Sequence, residues 1–430
     1  MTQSPFSSRV ESLNDPVREV RLESLSRLME AVKAGTLEVP SVGDDVNNHI
    51  HTTYSFSPYS PTRAVWEAYQ AGLRSAGIMD HESICGAREF IEAGKISGVA
   101  TTIGIECRVD FSATTLRGKR INNPDQLGNA YIALHGIPHN QIDAFIAYFE
   151  PLIKARDGRN RLMSERINRI IGPASGLSID YEKDVLPLSN CRDGGTVTER
   201  HLLFALAHAL TGRFGRGEAI LGILTDRLGC VLDTKAREQM QNAANPFYDY
   251  DLLGILKKEI VGSFYVPAAD ECPGVADALA FAGKHGCICA YAYLGDIADC
   301  VTGDKRPQKF EDDILDELIA LVKELGFTAV TYMPSRNSPA QLDRIMELCS
   351  RHGLLQISGE DINSPRQSFV CSAMRNGRFG HLVDATWALI GHEKAATKNI
   401  DDGFFSAPTI RKHPDLNERI QYFKAQGLSA

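Results

Sequence analysis

The strongest constraint on the fold is a repeated pairing of short apolar runs with a histidine or carboxylate at the end of each. An extended segment from Val46 carries His49-Ile50-His51, and residues 76–79 end in Asp80-His81. Residues 99–103 deliver Glu106 just beyond the run, and residues 131–134 deliver His135. Three later runs, 287–293, 327–332 and 354–357, have the same strand-like character, and the last leads into Ser358-Gly359-Glu360-Asp361. Helical patterns lie between many of these runs, at 87–93, 313–325 and 340–352, and Ser60-Pro61-Thr62 starts another in which Ala64, Ala68 and Leu73 share the apolar face. Strands that alternate with helices and end in polar side chains describe an α/β barrel whose active face is built from the strand ends.

The alternation breaks in the middle. Residues 153–171, 201–210, 218–228 and 251–258 all have helical periodicity, so the stretch 142–270 is expected to be a helical insertion or cap. The expected organisation is an N-terminal extension at 1–45 with a charged, leucine-bearing helix at 17–33, a barrel at 46–141 and 271–367, the insertion between them, and a C-terminal extension at 368–430. An apolar run at 382–390 in that last piece has no assigned role. No internal repeat or low-complexity tract stands out.

A chain of 430 residues with 43% apolar and aromatic and 23% charged residues is long enough for a full core and an additional subdomain. Its 46 basic against 54 acidic residues give a formal charge of -8, which offers no long-range attraction for duplex nucleic acid or an anionic membrane. The first residues, MTQSPFSSRV, lack the apolar segment of a secretory signal, and no long uncharged apolar span follows, so a cytoplasmic location is expected. Ten cysteines are scattered without a CxxC unit, a pattern of reduced, mostly buried thiols. Cys287 and Cys289, two apart in a strand-like run, are weak candidates for a metal.

On an extended backbone, His49 and His51 point to one side and reach a common ion while Ile50 turns into the opposite layer. Surface or core histidines explain that pair alone better than a metal does, but they do not explain the series Asp80, His81, Glu106, His135 and Asp361 at comparable positions. Imidazole and carboxylate donors together suit zinc, manganese or iron. Such ions lower the pKa of a bound water and neutralise a phosphoryl group in hydrolysis. His81 or Asp80 is then placed to manage the proton, and Arg161, Arg200 and Arg336 are candidates for the phosphate oxygens.

The chain resembles the PHP family, named for polymerase and histidinol phosphatase domains, and within it the stand-alone metal-dependent phosphoesterases with a helical insertion. His49-Ile50-His51-Thr52-Thr53-Tyr54-Ser55 matches the opening signature, Ile78-Met79-Asp80-His81 with Gly86 the second, and Gly104-Ile105-Glu106 the segment of the bridging glutamate. Farther on, Arg161, Glu199-Arg200-His201, Tyr332-Met333-Pro334-Ser335 and Ser358-Gly359-Glu360-Asp361 keep the family's order. The resemblance implies a distorted seven-stranded β/α barrel, with His49, His51, Glu106, His135 and Asp361 as metal ligands, Asp80, His81 and His201 catalytic, and the cap closing over a small phosphorylated substrate. Three positions depart from the pattern: Asn363 replaces a histidine, Phe56 an acidic residue, and Tyr291 stands in the strand that usually ends in alanine, histidine and proline. The expected site is therefore reduced, with one tight ion, a looser second at His135 and Glu106 altered by Tyr291, and a third site that retains only His81.

The activity these features point to is metal-dependent hydrolysis of a phosphomonoester, or of the end of a small nucleotide or short oligonucleotide. Sugar phosphates and amino-alcohol phosphates fit equally well. A metal-dependent amidohydrolase uses the same residue types, and a degenerate module that binds a phosphorylated ligand or a protein without turnover is the non-enzymatic alternative. The oligomeric state is left open.

Overall fold

The structure, a computed structural model, describes residues 6–296 and 308–429. Cys300 and the outermost residues of both extensions lie outside that range. Seven strands form one sheet in the order of the sequence: β1 (Val46–Ile50), β2 (Ser75–His81), β3 (Ala100–Asp110), β4 (Asn129–His135), β5 (Ile288–Ala292), β6 (Ala329–Tyr332) and β7 (Leu355–Ser358). All neighbours are parallel except at β4, which is antiparallel to both β3 and β5. The sheet curls until Ile50 bridges Ile362, where His51 N–H donates to Ile362 O (2.9 Å) and Ile362 N–H to His49 O (3.0 Å). That bridge brings the first and last strands together beside the candidate ligands.

The local chemistry explains several of these elements. Helix Pro61–Gln70 begins where the Ser60 hydroxyl accepts from Arg63 N–H and proline occupies the first turn. Helix Pro339–His352 has a reciprocal Ser338–Gln341 capping box and ends at Gly353 in the left-handed region. Helix Arg18–Lys33 falls almost where its sequence pattern lies. The predicted strand at 99–103 extends to Asp110, so Glu106 stands within β3 and not beyond it. Its continuation is stabilised by the β4 ladder from Gly104↔His135 to Asp110↔Asn129.

Apolar residues sort into three cores. Ile78, Ile103, Ile105 and Ile132 face outward beneath the surrounding helices. The insertion, carried by helices Ile142–Ser175, Glu199–Phe214 and Tyr248–Phe264, encloses its own core around Leu202, Leu206, Leu252 and Leu256. Inside the curl, Met79, Ala133, Ala290, Ala329 and Ile357 pack against Ala388 and Leu389 of helix Gly380–Lys398. The C-terminal segment without a sequence-assigned role thus fills the interior of the sheet. Helix Leu416–Leu428 covers it in turn, at a crossing so close that a Cβ on Gly391 would stand 2.0 Å from Phe423 O and one on Gly427 2.0 Å from Trp387 O. Among the described residues, no helix is long and apolar enough to cross a membrane.

Candidate metal centre

The strand ends bring two imidazoles and a carboxylate together. His49 Nε2 and His51 Nε2 are 3.2 Å apart, and Glu106 Oε2 lies 3.7 and 3.8 Å from them. Asp361 Oδ1, from the loop after β7, approaches His51 Nε2 at 3.1 Å, and His81 Nδ1 lies 3.1 Å from Glu106 Oε2. That loop lies so close to β1 that a Cβ on Gly359 would meet His49 N at 2.6 Å. Between Asn47 and Ile50 the β1–β2 register slips, and a bulge of this kind re-aims the side chains that follow.

The hydrogen bonds fix the chemistry of His51. The Ser55 hydroxyl gives its proton to Asp80 Oδ1 (2.6 Å), so its oxygen accepts from His51 Nδ1–H (3.2 Å). The Nε2 lone pair of His51 is thereby directed at His49, Glu106 and Asp361. Two ring nitrogens 3.2 Å apart share at most one proton, whereas a divalent cation satisfies both lone pairs and the carboxylate together. His49, His51 and Glu106 form a set that could hold a metal ion, and Asp361 Oδ1 lies beside it.

Burial lowers the His49 pKa, but the Glu106, Asp361 and Asp80 carboxylates together outweigh it and the net direction is up. Burial, then the neighbouring His51, holds His81 well below its usual value. Asp80 is pushed up by burial, against the pull of His51, Ser55 and Thr52. Asp80 lies within the protein, where it accepts from Thr52 N–H and the Thr52 hydroxyl, both at 2.6 Å, as well as from Ser55. Its place is to hold the turn that carries His51 and Ser55.

The remaining predicted residues occupy distinct places. Because β4 runs against its neighbours, its last residue, His135, pairs with Gly104 and sits two residues below Glu106. It is buried, Nε2 has no hydrogen-bond partner, and burial followed by His49 pushes its pKa down to about 3. At the level of Glu106 the inward positions are Ala133 on β4 and Ala290 on β5, and Tyr291 faces the outer core against Phe327. Tyr291 therefore does not alter a second ion site, as the sequence suggested, and the strand residues opposite Glu106 carry no donor side chain.

His201 closes a capping box with Thr198, accepts from Thr198 N–H at Nδ1 (2.9 Å) and interacts with the Ser55 backbone. Burial, then Arg156, pushes it down to about 3, so it orients the Ser55 turn as a neutral ring. Phe56 packs edge-on to it with ring centres 5.0 Å apart and joins the core of the insertion. Arg161 is half-exposed on the insertion, paired with Asp157 and Glu182 and stacked over Tyr181. Arg200 and Arg336 line a cleft of about 1370 Å³ between insertion and barrel, together with Tyr250, Lys258, Asn363 and Asp361. Asp361 is the donor at which this cleft meets the cluster.

A buried charge network was not anticipated from the sequence. Arg108 of β3 and Arg156 and Arg159 of helix Ile142–Ser175 face Glu82, Glu199 and Glu271. It joins barrel to insertion next to His81, and Glu82, directly after that histidine, has φ 46°, unusual for a residue with a side chain. Helical phase was the available signal. Arg156, Arg159, Asn160, Met163, Ile167 and Ile171 form one buried stripe, and Arg161 lies off it.

Fold and cluster together define a β/α barrel with a histidine–carboxylate cluster of metal-ligand type at its strand ends. Residues 47–205 match the model of the PHP domain, and the chain contains a PHP domain over that segment. An error-prone DNA polymerase of Nocardia farcinica is 28% identical over an alignment of 207 residues that covers 42% of this chain and 18% of the polymerase. The chain thus spans less than one-fifth of that relative's length. Among solved structures, a Bifidobacterium adolescentis protein provisionally described as a metal-dependent phosphoesterase aligns with a TM-score of 0.50 and 20% identity, over 79% of this chain and 96% of its own. An amidohydrolase from Chromobacterium violaceum aligns with a TM-score of 0.50 and 16% identity, over 76% and 90%. These two share the fold.

Proposed function

We propose that the chain is a metal-dependent hydrolase of small phosphate esters, either phosphomonoesters or the end of a small nucleotide or short oligonucleotide. The observation that carries this reading is the His49–His51–Glu106 donor set with Asp361 at its edge, facing a cleft that also holds Arg200 and Arg336. A divalent ion bound there supplies a lowered water pKa and charge neutralisation at phosphorus. The protein's own part is to place donors and substrate. Ser55 and Asp80 fix the His51 tautomer, and His81, held neutral and 3.1 Å from Glu106, is the base nearest the cluster. Arg200 and Arg336 provide planar donors suited to phosphate oxygens on the substrate side.

The test is a panel of phosphoesters assayed with manganese, zinc, iron and magnesium. Metal-dependent release of phosphate or nucleotide is expected, reduced at least about 100-fold in His49→Ala and Asp361→Asn. One observation favours a second reading, a binding module without turnover: Ala133 and Ala290 opposite Glu106 leave the centre with few donors. Tight binding of panel members with no product under any metal would select it.

A further inference from the structure

Resting on the metal reading, we infer that Arg366 and Asp251 form a clasp through which the helical insertion positions the ligand Asp361. Arg366 lies five residues beyond Asp361, on the loop after β7, and Asp251 is on helix Tyr248–Phe264 of the insertion. The guanidinium meets the carboxylate through two parallel bonds, Nε to Oδ1 and Nη2 to Oδ2, both 2.6 Å. It also donates to Asn245 Oδ1 (3.1 Å) and lies over the Phe247 ring at 4.8 Å. Asn245 in turn donates to Asp251 Oδ2 (2.7 Å), and the Asp251 side chain is only 6% exposed. A half-exposed arginine held by a fork, an amide and an aromatic face is a built joint, unlike a mobile surface ion pair.

The barrel side of the joint leads directly to the metal ligand. Gln367, the neighbour of Arg366, accepts from Asn363 and Ser364 N–H, both at 2.8 Å, and donates from Nε2 to Asp361 O (2.6 Å). Asn363 donates from Nδ2 to Asp361 Oδ1 (2.8 Å), the oxygen that faces His51. The residue that departs from the family pattern therefore orients the carboxylate. Loop 361–367 is braced internally by amides, anchored to β1 by the Ile362 bridge, and tied to the insertion by Arg366. Arg366, Phe247, Asp251, Asn363 and Asp361 all line the same cleft, so an occupant of the cleft touches both the clasp and the ligand. Arg366 acts through Gln367 and Asp361, which makes it a positioning residue.

The test is the affinity of the full chain for Mn2+, measured by titration calorimetry without substrate, in a double-mutant cycle of Arg366→Ala and Asp251→Asn. Each single variant is expected to bind Mn2+ about 3- to 10-fold more weakly, less than the loss typical when a direct neighbour of a ligand is removed. The double variant is expected to match the singles, because the pair acts as a unit. Arg366→Lys, which keeps charge but not the fork, should fall between wild type and Arg366→Ala. Arg375→Ala, which removes an arginine–aspartate pair between the two terminal extensions, should leave affinity unchanged. Unchanged Mn2+ affinity in Arg366→Ala, or losses that multiply in the double variant, would overturn the clasp. No Mn2+ binding by the unaltered chain would overturn the metal reading, and the clasp with it.

Discussion

Arg156 and Arg161 lie on one helix, and their positions give them opposite energetics. Arg156 meets Glu82 inside the barrel–insertion seam, where loss of one partner strands a buried charge. Arg156→Gln is expected to destabilise the fold by about 3–5 kcal/mol. Arg161→Ala, at a half-exposed pair, should change stability by less than about 1 kcal/mol, which chemical denaturation resolves. Glu311 gives a pH test away from the metal centre. It is fully buried, accepts from Leu294 and Gly295 N–H, and its pKa is pushed up to about 8 by burial, against those two bonds, with Asp312 and Asp296 adding repulsion. Between its ordinary value of 4.5 and about 8 the folded chain keeps a proton that the unfolded chain releases, so this residue makes stability fall as pH rises through that window. Glu311→Gln should remove that decline in melting temperature between pH 5 and 8. An unaltered slope would show that Glu311 is ionised in the fold. The clearest residue-level signal in the sequence was the spacing of His49 and His51, because a period of two on a strand translates directly into a shared direction. Arg161 was the weaker choice because order along the chain carries no helical phase.

The strands and most barrel helices were legible in the sequence because each pairs an apolar period with its own cap or turn. The direction of β4 was not. Periodicity is the same whichever way a strand runs, and the antiparallel return follows from a connection, residues 111–128, that contains no helix to carry a parallel crossover. That reversal places His135 two residues below Glu106 when its sequence position suggested the active end. Helix Gly380–Lys398 was hidden for another reason. It is buried on nearly every face, so its apolar run has no amphipathic period to read. Its packing against Leu416–Leu428 yields a prediction of sign. Gly391→Ala places a Cβ against Phe423 O and should cost about 1–3 kcal/mol. Gly212→Ala, inside helix Glu199–Phe214 with open space around it, should stabilise by about 0.5–1 kcal/mol. Thermal melts of the two variants should move in opposite directions.

At the scale of the molecule, a barrel supplies the donors, an insertion supplies the opposite wall of a cleft, and a C-terminal helix pair supplies the filling beneath. The PHP resemblance predicted the first two, and the sequence departures at Phe56 and Asn363 take on structural meaning. Phe56 belongs to the core of the insertion, and Asn363 braces Asp361. With Ala133 and Ala290 opposite Glu106, one tightly held ion is the expected occupancy. The direct test is metal content by mass spectrometry of the chain purified without added ions, followed by titration with manganese and zinc. One tightly bound first-row ion per chain, lost in His49→Ala, is the predicted result; no ion with no binding on titration, or three ions held with equal tightness, would contradict it.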